Sequence, residues 1–191
     1  MARITLVSDD MAAAHSPLAQ DIRAGRRGQL INLYRGLLNA PEMAESWLSH
    51  LDSVRWKTGL PARLRELVIV RIGYLCQAGY IIRQHVPHLA EKDGVSAQEC
   101  AALSGDLAPG SFSPAEHAAL DYTDAVTLEI RANDTVFETL TQHFDDRGIV
   151  ELTVLIGTYN MHAALCAAST SILKRCPTPP AKRTETCRSP A

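Results

Sequence analysis

Residues 149–168 form a run of twenty positions so rich in Ile, Val, Leu and Ala that the chain must either wrap it in other helices or place it in a membrane. Its length is that of a span. Its interior, however, carries Glu151, Asn160 and His162, and polar groups in hydrocarbon are costly unless each finds a partner. The run is therefore read as a core helix, apolar on every side and enclosed by neighbours. It is expected to be the last and most buried helix, opening at Asp145-Asp146-Arg147-Gly148 and running from Ile149 to about Lys174.

The remainder of the chain supplies the wrapping. Leu30, Leu33, Tyr34 and Leu37 recur at helical spacing, and Asn39-Ala40-Pro41 ends that helix and begins the next, since proline is tolerated in a first turn. Met43, Trp47, Leu51 and Val54 form the second stripe. After Lys57-Thr58-Gly59-Leu60-Pro61, a third helix is predicted from Arg63 towards Gly79. Ser96-Ala97-Gln98-Glu99 and Ser113-Pro114-Ala115-Glu116 are both capping boxes, in which serine takes an orphan amide and glutamate reaches back. The second box predicts a helix to about Arg131, and Asn133 caps a shorter one from Asp134 to Phe144.

No alternating strand pattern occurs, and aromatics are only 5% of a chain whose apolar residues are mostly Ala and Leu. The fold class is all-α, one domain of about six to eight helices. Residues 1–25 are expected to lie extended, 26–176 to form the helical domain, and 177–191, with Pro177-Thr-Pro-Pro180, to be a disordered tail.

A net charge of −2 gives no basic field for a phosphate backbone, which argues against a nucleic-acid partner. The N-terminus has no apolar stretch of signal-peptide length, so a cytoplasmic setting is expected. Cys76, Cys100, Cys166, Cys176 and Cys187 are scattered and form no C-x-x-C, which suggests neither a disulfide framework nor a zinc site. His85 and His88 make an H-x-x-H pattern, but no third ligand is dictated by spacing among Glu66, Glu91 and His162. No metal and no cofactor are expected. Glu66-Leu-Val-Ile-Val and Glu151-Leu-Thr-Val-Leu echo one another, each with a glutamate at the head of an apolar run.

Leu64-Arg65-Glu66-Leu67-Val68-Ile69-Val70, then Tyr80 and His85, then Phe112 to Glu116, Ile149 to Thr153, Gly157 and Tyr159-Asn160-Met161 stand in one order over roughly residues 20–170. In that order they resemble the carboxymuconolactone decarboxylase and alkylhydroperoxidase D-like superfamily. Glu66 and His85 fall on its glutamate and histidine positions, while Ala78 and Ile81 occupy its cysteine positions. Peroxide reduction needs an attacking thiolate and a resolving thiol, which alanine and isoleucine do not offer. Tyr80 matches the decarboxylase-like pattern, but Ile81-Ile82 replace its Glu-Trp, and the stretch after His85 is one residue longer.

The resemblance implies a helix–turn–helix that brings Glu66 to His85. In one unbroken helix, nineteen residues would separate them by about 28 Å. Gly79 is the expected break, and Pro87 places the start of the next helix near Gln84. The pair would manage protons, with Tyr80 or a helix N-terminal amide donating to a developing oxyanion. The plain alternative pairs Glu66 with Arg63 or Arg71 and leaves His85 as a helix cap. Cys76, Ile81, His88, Asn160 and His162 are the candidate substrate-contacting residues, Cys76 because it would share a face with Tyr80 at i, i+4. His117 and His143 are read as solvated.

The resemblance thus implies a lyase or isomerase acting on a small organic acid or lactone, assembled as a homo-oligomer, trimer or hexamer. Two other readings stay open: a thiol-dependent peroxidase using Cys76, and a non-catalytic oligomeric binder of small molecules.

Overall fold

The computed structural model describes residues 4–10, 16–25 and 28–169. The expected tail, Cys176, Cys187 and Lys174 lie outside them. Among the described residues there are nine α-helices, one π-helical turn and no strand. They are α1 (Ser16–Ala24), α2 (Asn32–Leu37), α3 (Pro41–Trp56), α4 (Ala62–Leu75), α5 (Gly79–His85), the π-turn (Val86–Ala90), α6 (Ala97–Ala102), α7 (Pro114–Glu129), α8 (Asp134–Thr141) and α9 (Asp146–Ser169). The segment expected to be extended carries α1, whose Ala19 and Ile22 pack with Val7, Leu33, Tyr34 and Trp47.

The most enclosed helix is α4, not α9. Residues 66–73 of α4 are all buried, and α5, α7 and α9 pack around them. Helix α9 is long and apolar enough to cross a membrane, yet it behaves as a two-sided helix. Leu152, Leu155, Ile156 and Tyr159 enter the core, while Val150, Val154 and Met161 stay exposed. Counting apolar residues overstated its burial, because its apolar surface exceeds what neighbouring helices cover.

Both predicted capping boxes form. Ser96 and Ser113 accept from the amides of Glu99 and Glu116, whose carboxylates accept from the serine amides at 2.8 and 2.9 Å. The same two carboxylates meet Arg63 in the first turn of α4: Nη2 donates to Glu99 Oε1 (2.5 Å) and Nε to Glu116 Oε1 (2.7 Å). One guanidinium therefore ties the starts of α6 and α7 to α4. Its hydrogen bonds hold the Glu99 carboxyl down at about 2, against the opposing pull of burial. Arg71 is likewise engaged, donating to both oxygens of Asp124 and to the carbonyls of Leu103 and Gly105. Neither arginine is available to Glu66.

The chain reverses between α4 and α5, but Gly79 is not the residue that breaks the helix. Gln77 takes the left-handed conformation at φ 51°, with Gln77 N–H donating to Tyr74 O and Ala78 N–H to Gly73 O. These two bonds are a Schellman ending with glutamine where glycine is usual. Gly79 instead opens α5. The close approach falls to Gly73, where a Cβ would come within 2.7 Å of Ile82 Cδ1 and 3.2 Å of Ile81 Cγ2. Nor does a new helix start at Gln84. Helix α5 runs on to His85 and loosens into the π-turn, which holds Pro87 in its first turn, where a missing N–H matters least.

Candidate active site

Glu66 stands in the second turn of α4 and His85 ends α5, so the reversal brings them together. His85 Nδ1 and Glu66 Oε1 are 2.6 Å apart, with the two residues 4% and 1% exposed. If the Glu66 carboxylate is the acceptor in this bond, the ring N–H at Nδ1 is the donor and Nε2 is left for other work.

The His85 ring opens on a cavity of about 390 Å³. Its floor is buried and largely apolar, built from Leu33, Tyr34, Leu51, Ile81, Tyr159 and His162. Its mouth carries the exposed Gln29, Trp56, Gln84, His88 and Lys92, with Arg55 half-buried beside them. Tyr159 meets the His85 ring edge-on at 5.8 Å and stacks on His162 at 5.4 Å, and His162 in turn meets Trp47 at 5.8 Å. This row of rings braces the imidazole from the side of α9.

Tyr80 also lines the cavity, its hydroxyl buried against the Leu33 backbone without a well-formed hydrogen bond. Burial, reinforced by Cys166, pushes the phenol up to about 12, so at neutral pH it is a donor.

Of the sequence-predicted site residues, Tyr80, Ile81, His85, His88 and His162 line this cavity, Glu66 reaches it only through its bond to His85, and Cys76 and Asn160 do not line it. Helix α4 ends at Leu75, so the i, i+4 relation of Cys76 to Tyr80 never forms. Cys76 Sγ instead donates weakly to Asn160 Oδ1 at 3.7 Å, away from the cavity. Burial pushes the Cys76 and Cys100 thiols up and that of Cys166 to about 12, so no activated thiolate stands among these three. His143 is exposed as expected, but His117 is half-buried against Phe112, 5.7 Å away. Tyr159, Trp56, Arg55 and Lys92 were missed. The i, i+4 spacing of Leu51 and Arg55 is the signal that places Arg55 on the cavity side of α3.

Residues 41–125 match the model of the carboxymuconolactone decarboxylase family. The uncharacterized protein YnjA of Escherichia coli (strain K12) is 31% identical over 115 residues, which are 60% of this chain and 63% of the length of YnjA. A crystal structure of an Agrobacterium tumefaciens protein of unknown function, ATU0492, described as an AhpD-type antioxidant defence candidate, is 28% identical. It superposes with a TM-score of 0.65 over 70% of this chain and 91% of its own. The debrominase Bmp8 in complex with 2,3,4-tribromopyrrole superposes at 0.71 over 87% and 90%, with 16% identity, which is a likeness of fold. With the motifs in order and the Glu66–His85 pair in place, residues 41–125 carry the match to the carboxymuconolactone decarboxylase family, and the chain as a whole is similar to alkylhydroperoxidase D-like helical proteins.

Proposed function

We propose that the chain is an enzyme doing cofactor-free acid–base chemistry, decarboxylation, isomerisation or elimination, on a small organic acid or lactone. The observation that carries this reading is the 2.6 Å bond between buried Glu66 and His85 at the wall of a cavity that is open at its mouth. With Nδ1 held, Nε2 takes a proton from a carbon next to a carbonyl, and the C–H pair moves into the enolate. Glu66 stabilises the imidazolium that forms, and Tyr80 hydrogen-bonds the enolate oxygen. Collapse of the enolate expels a leaving group or accepts the proton back at another carbon. In a decarboxylation, the C–C pair moves into the enolate as CO2 leaves. His85, having first taken a proton from solvent on Nε2, delivers that proton to the enolate carbon. Positioned proton transfer of this kind contributes about 10²–10⁴ in rate.

The cavity size and its aromatic floor support a small planar substrate, as does the tribromopyrrole held by Bmp8 on the same fold. The raised thiols of Cys76, Cys100 and Cys166 weigh against the peroxidase alternative. The exposed Val150, Val154 and Met161 on α9 support assembly with further copies of the chain, and the reading includes a cytoplasmic setting.

A screen of small lactones and unsaturated acids with the wild-type chain and His85→Gln tests the proposal. Turnover in the wild type that falls at least 10²-fold in the variant, with unchanged melting, is expected. Turnover surviving in His85→Gln, or none anywhere on the panel, overturns it.

A further inference from the structure

We propose that the cavity selects organic anions, with Arg55 and Lys92 gripping the substrate carboxylate at the mouth while the reacting carbon lies below, beside His85. This inference rests on the reading of the cavity as the place where His85 meets a small molecule. It adds the charge class of that molecule and the two residues that determine it.

The charge inventory carries the argument. The chain has 21 acids against 19 Lys and Arg, yet among the described residues no Asp or Glu lines this cavity, whose titratable lining includes Arg55, Lys92, His85, His88 and His162. Glu66, which bonds the lining residue His85, is 1% exposed and so presents no free carboxylate to the cavity. Elsewhere the described arginines of the ion pairs, Arg23, Arg35, Arg63, Arg71 and Arg147, each hold a carboxylate. Arg55 and Lys92 hold none among the described residues, as is true of Lys57, Arg65, Arg83 and Arg131, but of these six only Arg55 and Lys92 line the cavity.

Their placement fits a carboxylate handle. Arg55 closes α3, and Lys92 follows the π-turn, so the two cations enter the same cavity from separate elements. The Arg55 guanidinium lies 5.1 Å from the centroid of the Trp56 ring, which holds the fork at the mouth without using its donors. A planar fork matches a carboxylate in two parallel bonds, and Lys92 adds a mobile point charge. Below them the floor turns apolar and aromatic, the surroundings a ring or short unsaturated chain prefers over water. The gripped carboxylate is the retained end of the substrate, separate from the carbon that exchanges its proton.

Benzoate and its neutral isostere benzamide are the probes, titrated calorimetrically into the full-length wild-type chain, Arg55→Gln, Lys92→Gln and His85→Gln, with melting temperatures as the folding control. The wild type is expected to bind benzoate at least about tenfold more tightly than benzamide. Benzoate affinity should weaken with added salt and fall about tenfold in Arg55→Gln, less in Lys92→Gln. His85→Gln, which alters the lining but neither cation, should keep the preference for benzoate over benzamide. Equal affinity for the two probes, no benzoate binding by the wild type, or undiminished binding in both cation variants overturns the inference. Failure here is distinct from failure of the proposed function. Cation-dependent binding without turnover sinks only the acid–base reading. Turnover that needs His85 but is indifferent to Arg55, Lys92 and substrate charge sinks only this one.

Discussion

Two glutamates head two similar apolar runs, Glu66 in Glu66-Leu-Val-Ile-Val and Glu151 in Glu151-Leu-Thr-Val-Leu, and their fates differ completely. Glu66 is sealed in the middle of α4, and its partner is a histidine that faces a cavity. Glu151 sits at the edge of α9, where its Oε2 accepts from Thr58 Oγ1 and the Gly59 amide, both at 2.8 Å, and its Oε1 from Arg147 Nε at 2.9 Å. The second carboxylate fastens the turn between α3 and α4. Its hydrogen bonds, that from Arg147 foremost, hold its acid strength above the usual. A carboxylate with three fixed donors is a clamp. One whose partner has a second nitrogen left for a ligand is a device for moving protons. Local pattern is the same in both, and the neighbour across the fold decides.

The largest difference between them is expected in turnover. Glu66→Gln keeps an acceptor for Nδ1 but removes the charge that stabilises the imidazolium, so kcat should fall about 10²-fold with little change in KM. Glu151→Gln should leave kcat within about twofold and cost about 1 kcal/mol of stability in denaturant unfolding, through the turn at Gly59. If Glu151→Gln lowers kcat as much as Glu66→Gln, the comparison fails.

A third glutamate gives a smaller effect that sharpens the same point. Glu99 is depressed in the folded chain to about 2 from an ordinary value of 4.5, chiefly by its hydrogen bonds from Arg63. A group with a lowered folded pKa contributes stability that is complete above its unfolded value and is lost as pH falls through the folded one. The wild type should therefore lose more stability than Glu99→Gln between pH 4.5 and pH 2, with the two curves parallel above pH 5.5. Equal acid sensitivity would mean that Arg63 does not hold this carboxylate in solution. Turnover near neutral pH should not register the change, since α6 and its box lie outside the cavity lining.

What was legible in the sequence follows the range of the interactions involved. The capping boxes at Ser96 and Ser113 and the Asn133 cap act over three residues, and all three form. The meeting of Glu66 and His85 spans nineteen residues and was reached through family resemblance, because spacing alone put them far apart. Where the reading assumed that a helix continues, it went astray. Cys76 was matched to Tyr80 across a helix end that a left-handed Gln77 creates, and Asn160 follows Cys76 out of the cavity. No sequence rule marks a glutamine for that conformation. Gly73, which lets α5 lie against α4, carries no local turn signal and shows its purpose only against Ile81 and Ile82. Arg63 finds Glu99 and Glu116 at separations of 36 and 53 residues, beyond any local pattern.

The central claim is that Glu66 holds the proton of His85 on Nδ1 and leaves Nε2 to act on a bound molecule. Long-range proton–nitrogen NMR correlation of the histidine rings, assigned by comparison with His85→Gln, reads the tautomer directly. For the neutral ring, the account predicts a protonated Nδ1 and a lone pair on Nε2, a preference that weakens in Glu66→Gln. A neutral His85 ring protonated on Nε2 in the wild-type chain would contradict it.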